Sequence, residues 1–97
     1  MSVAAEIRNR LAVLEPLEME LADESEQHRG HAGYAAGGGT HWRLVIVSPR
    51  FAGQPVVARH RMVYQALGNL MQHPIHALAI TARAPEEKTT YETKGKQ

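Results

Sequence analysis

Apolar positions recur along the first residues with helical spacing: Val3, Ile7, Leu11 and Leu14 form one stripe, while Glu6, Arg8, Asn9 and Arg10 fall on the opposite side. That pattern predicts an amphipathic helix, with Ser2 as its N-cap and Pro16 as its stop. From Leu17 the period changes to two. Leu17, Met19 and Leu21 alternate with Glu18, Glu20 and a terminal Asp23, which predicts a half-buried strand with the three apolar side chains inward. The pattern then lapses from Glu24 to Thr40, a polar stretch containing Gly30, Gly33 and the run Gly37-Gly38-Gly39. Loops of this length without structure of their own are usually functional or disordered, and the histidines in it favour function. His41 to Ser48 is rich in β-branched residues and ends at Pro49, the signature of a central strand covered on at least one face. Pro55 sits at the first turn of a second predicted helix, which runs to about Met71 with Val56, His60, Val63, Leu67 and Leu70 along one face. On that spacing His60 lies on the apolar stripe as a satisfied core histidine, flanked by Arg59 and Arg61. Ile75 to Ala82 is the third strand.

The predicted order is therefore α-β-β-α-β, an α+β fold. The two strands joined by the long loop pair antiparallel. The crossover through the second helix sets the third strand parallel to its neighbour, giving a three-stranded mixed sheet with both helices on one face. Residues 1–85 form the expected domain, and 86–97, polar and lysine-rich without periodicity, a flexible tail.

Composition narrows the function classes. The chain has 97 residues and 43% apolar content, enough for one domain with a modest core. Its formal charge of +1 gives no global drive toward nucleic acid, so such a role would rest on a local patch. No apolar run is long enough to span a membrane, and the first residues lack a hydrophobic signal core, so a cytoplasmic protein is expected. No nucleophile stands at motif spacing from a base, and the expectation is a protein that is not an enzyme and has no small-molecule substrate.

The chemistry lies in the histidines. There are six and no cysteine. Imidazole is the commonest metal ligand, whereas thiolate-bound zinc or iron–sulfur centres need sulfur, so a partner must supply it if this chain takes part in such a centre. His28, His31 and His41 lie in or beside the loop. His60 stands between two arginines, and His73 and His76 flank Pro74. Gly30-His31-Ala32-Gly33 matches the bare GxxG of a KH domain, but it falls between two strands rather than two helices. Arg59 and Arg61, with Arg43 and Arg50, are the candidates for a phosphate-binding patch. On residue pattern alone, His41 reads as structural and His73 as exposed and idle.

Several segments together resemble the BolA family: Asp23-Glu24-Ser25 followed by His28, Thr40-His41-Trp42, Val45-Ile46-Val47-Ser48, Arg50-Phe51-Ala52-Gly53, Arg59-His60-Arg61-Met62-Val63-Tyr64, and Ile75-His76-Ala77-Leu78. They occur in family order from about Ile7 to Pro85. The family often has Ser-His-Phe where this chain has Thr40-His41-Trp42, and the extra glycines and His31 set its loop apart. The resemblance implies a class II KH-like fold and an adaptor that binds a monothiol glutaredoxin and shares a [2Fe-2S] cluster with it, in iron–sulfur trafficking or iron homeostasis. The glutaredoxin and its glutathione would supply thiolates. This chain would supply His76 and His28, with His31 as the alternative, and would hold no cofactor when isolated. Trp42, Arg59, His60 and Arg61 are the expected contacts with the partner or with nucleic acid, because some bacterial members of the family are DNA-binding transcriptional regulators.

Overall fold

The computed structural model describes residues 2–25 and 40–87. Helix α1 (Val3–Leu11) opens where the Ser2 hydroxyl accepts the Ala5 N–H at 3.1 Å, and it buries Ile7 and Leu11 completely. A 3-10 turn over Ala12–Leu14 carries the stripe on to Leu14. Strand β1 (Glu18–Asp23) pairs antiparallel with β2 (His41–Val47), and β2 pairs parallel with β3 (Ala77–Arg83), giving the sheet order β1-β2-β3. Helix α2 (Val56–Leu67) and a 3-10 turn over Gly68–Met71 form the crossover between β2 and β3. The element order and pairing predicted from periodicity are those observed.

The registers explain the core. Trp42, Leu44 and Ile46 of β2 stand beside Leu78, Ile80 and Ala82 of β3, and Leu44 and Ile46 beside Leu21 and Met19 of β1. These residues meet Ile7, Leu11, Val63, Leu67 and Leu70 in one cluster, so the helices cover a single face of the sheet. Arg10 fastens α1 to the end of α2 by donating to the Leu67 carbonyl at 2.9 Å. Gly68 follows at φ 55°, a left-handed geometry that favours glycine, while a Cβ there would be in ordinary contact with the same guanidinium at 3.4 Å.

Four expectations are corrected. Leu17 is 64% exposed: it lies just before β1, where its N–H still donates to the Val47 carbonyl at 2.8 Å but its side chain is left outside the cluster that covers the sheet. On α2 the buried positions are Arg59, Val63 and Leu67, while Val56 is exposed and His60 only half-buried. Steps of three and four both keep a helix face, so the spacing to Val63 admits either His60 or Arg59; the hydrogen bonds available to Arg59 select it. Trp42 is buried in the core instead of standing on a contact surface. The folded unit also runs two residues past Pro85, because a helical turn ends in Glu87, whose N–H donates to the Ala84 carbonyl at 3.1 Å. Residues 88–97 lie outside the described residues.

Candidate functional site: the neck of the β1–β2 loop

The two described ends of the β1–β2 connection, Ser25 and Thr40, are held together by one buried hydroxyl. Ser25 Oγ donates to Asp23 Oδ1 at 2.6 Å and accepts from the backbone N–H groups of Thr40 and His41 at 3.1 and 3.2 Å and from the Thr40 hydroxyl at 3.2 Å. Asp23 Oδ1 also accepts the Ser25 N–H at 3.0 Å, a local turn that suits aspartate at a strand end. Outside this knot the Glu24 N–H donates to the His41 carbonyl at 2.8 Å, and Glu24 forms an ion pair with Arg43.

His76 meets this neck directly. It lies just before β3, and its N–H donates to the Thr40 carbonyl at 2.7 Å; the Ala77 N–H donates to the same oxygen at 3.1 Å. The side chain of His76 is exposed, and its ring lies 5.4 Å, centroid to centroid, from the buried ring of His41. His41 Nδ1 is 2.9 Å from Thr40 Oγ1. The structure thus brings His76 and His41 together at the mouth of the loop. His28 and His31 lie outside the described residues, among which no group of three or more metal-ligating side chains occurs. Among the described residues, one exposed imidazole at this neck does not make a closed metal site of its own.

The other expected contact residues divide. Arg59 is 7% exposed and turned inward: Nε donates to the Gln54 carbonyl at 2.7 Å, Nη1 to the Ala82 carbonyl at 3.1 Å, and the two terminal nitrogens to the Glu87 carboxylate at 2.5 and 2.7 Å. This fork corrects its expected place on a contact surface, and nothing short of the fold reveals Glu87 as its partner. The Arg59 hydrogen bonds, followed by the Ala84 N–H, hold the Glu87 carboxyl at a pKa of about 2; the same pairing raises that of Arg59. Arg50 pairs with Glu15 at 3.1 Å and Arg43 with Glu24, leaving Arg61 as the exposed arginine of the expected patch without an ion pair among the described residues. His60 and Arg61 line a concavity of about 310 Å³ on the outer side of α2 with Val57 and Tyr64. His73 is exposed. The indole N–H of Trp42 is buried without a hydrogen-bond partner among the described residues, an orphan that the phenylalanine usual in the resembling family would not create.

The family model described as BolA-like protein matches residues 11–87. Over 86 residues the chain is 44% identical to BolA-like protein 1 of Mus musculus, covering 88% of this chain and 60% of that relative. It is 36% identical over 81 residues to the DNA-binding transcriptional regulator BolA of Escherichia coli, covering 82% of this chain and 73% of that protein. The solved BolA domain of SufE1 from Arabidopsis thaliana superposes with a TM-score of 0.79 at 41% identity, covering 90% of this chain and 96% of that one. The chain spans about three-fifths of the length of the mouse protein and 21% of the Arabidopsis SufE-like protein 1. Two Arabidopsis relatives are described as chloroplastic or mitochondrial and chloroplastic, so the compartment does not follow from the likeness; among the described residues no helix is long and apolar enough to cross a membrane.

Proposed function

The chain belongs to the BolA-like protein family, and from that premise we propose that it is a non-catalytic adaptor that binds a monothiol glutaredoxin and co-ligates a [2Fe-2S] cluster with it. Its work would lie in iron–sulfur trafficking or iron homeostasis. The observation that supports this reading most is the exposed His76, whose N–H is bound to one end of the loop that carries His28 and His31. His28 lies three positions along the chain from Ser25, a reach of at most about 10 Å, and His31 six positions, at most about 20 Å. The family resemblance makes His28 the second ligand, with His31 as the alternative, and of the two His28 has the shorter tether to Ser25. With no cysteine, the chain offers neutral imidazole donors only, and thiolates come from the glutaredoxin and its glutathione. A cluster bound with imidazoles on one iron would carry less negative charge and a higher reduction potential than an all-thiolate one.

The test is co-expression with a monothiol glutaredoxin, anaerobic purification, and visible absorption and circular dichroism, with His76→Ala in parallel. A cluster spectrum distinct from that of the glutaredoxin alone and altered by His76→Ala is expected. Failure of the two proteins to associate, or a spectrum indifferent to His76, overturns the reading.

The second reading is a DNA-binding regulator on a class II KH-like fold. The α2 surface supports it: Arg61, exposed and without an ion pair among the described residues, stands beside Tyr64, and residues 49–85 contain no acidic residue. On this reading Arg61→Ala weakens binding to duplex DNA uniformly across sequences and reduces the dependence on salt by about one unit of log–log slope. Binding that is absent at low salt, or unchanged in the variant, excludes it.

A further inference from the structure

Ser25 is 1% exposed, and its hydroxyl has more partners than a loop end requires. It accepts the N–H groups on both sides of the Thr40 residue, and so fixes the peptide unit whose carbonyl receives His76 and Ala77. Through the Thr40 hydroxyl it also reaches His41, the ring that backs His76. A polar chain thus runs from the Asp23 carboxylate through Ser25 and Thr40 to both the main chain and the ring neighbour of His76. With Ser25 buried at its centre and Asp23 supplying a charge at its end, it is well suited to hold a single arrangement.

We propose that Ser25 is the positioning residue for His76: its hydroxyl closes the loop neck and holds the backbone and ring of His76 where a ligand on a partner-held cluster must stand. The inference rests on the reading of His76 as a ligand and adds a residue to it. Removing the hydroxyl leaves the two N–H groups of Thr40 and His41 without their acceptor, so the Thr40 carbonyl and the His76 amide lose their fixed position while the core below is untouched.

Amide hydrogen exchange on the free protein tests the grip without any metal. In Ser25→Ala, protection at His76 and Ala77 is expected to fall at least tenfold while Leu44 and Ile46 keep theirs. In the complex with a monothiol glutaredoxin, the circular dichroism of the cluster is expected to change toward that of His76→Ala, and Ser25→Thr, which keeps the hydroxyl, to restore both readouts. Asp23→Asn weakens the same hydroxyl bond from its exposed end, and serves in the same order of effect should Ser25→Ala not fold. Unchanged protection at His76 and Ala77, or loss shared equally by Leu44 and Ile46, overturns the proposal. A spectrum that responds to His76→Ala but not to Ser25→Ala overturns the role of Ser25 and leaves the ligand reading standing. A spectrum that ignores both variants overturns the ligand reading, and the positioning role falls with it.

Discussion

Phe51→Ala is expected to destabilise the protein by about 3–5 kcal/mol, the range for truncating a buried aromatic side chain. Phe51 is the largest of the fully buried side chains and has no exposed surface. It enters the core from the 3-10 turn over Pro49–Phe51, and that turn leaves it little room to adjust. Ser48 Oγ accepts the Arg50 N–H at 3.0 Å and donates to the Leu14 carbonyl at 2.5 Å, while the Ser48 carbonyl accepts the Phe51 N–H at 3.1 Å. A backbone pinned on both sides cannot collapse into the space left by the ring, so the cavity persists and the cost stays near the upper end of the range. Domains of this size have stabilities of roughly 5–15 kcal/mol, so the variant loses a large fraction of the total. Urea denaturation followed by circular dichroism measures it. A shift in midpoint corresponding to less than about 1 kcal/mol would mean that the site repacks, contrary to the packing described.

The second large effect is that of Arg59→Ala. The substitution removes the inward fork and leaves the Gln54 and Ala82 carbonyls without their donor, for an expected loss of at least about 2 kcal/mol. Its signature is the dependence on pH. The Glu87 pKa in the folded protein is about 2, below its ordinary value of 4.5. The folded state therefore favours the ionised carboxylate. The contribution is fully present at pH above the ordinary value and is lost as pH falls from there through about 2. Glu87→Gln should accordingly be less stable than the natural protein at neutral pH, and the difference should shrink steadily once pH drops below the ordinary carboxylate range. Paired urea midpoints at pH 7 and pH 3 read it out. A difference of the same size at both would show that the carboxylate contributes through shape and not through charge.

These residues also show where the sequence is readable. The α1 stripe and its Ser2 cap are both local: every residue that matters lies within a few turns, and Ile7, Leu11 and Leu14 are buried as their spacing requires. The alternation of β1 and the apolar run of β2 are equally local, and they determine the sheet. Arg59 is different. Its position on the helix is ambiguous by one residue against His60, and what resolves it is Glu87, 28 residues onward and past the last periodic strand. The candidate site is similar in kind. His76 stands out through the family resemblance, but the pairing of its ring with His41, and the hydroxyl of Ser25 that joins residues 15 apart, have no periodic trace in the chain. Hydrogen bonds between distant segments depend on a geometry that exists only once the sheet has formed.

The closure at Ser25 and Thr40 bears on how such a protein can change over time. A connection sealed at its base by its own hydrogen bonds can change length cheaply, since doubling it costs only about 0.6 kcal/mol in closure entropy. Residues 26–39 can thus be lengthened, shortened or exchanged as a cassette, with His28 moved or replaced by another donor, while β1, β2 and the anchored His76 stay as they are. If the proposed adaptor role holds, selection acting on that cassette would alter cluster affinity or partner choice with little effect on folding, so the connection can diversify faster than the sheet that carries it.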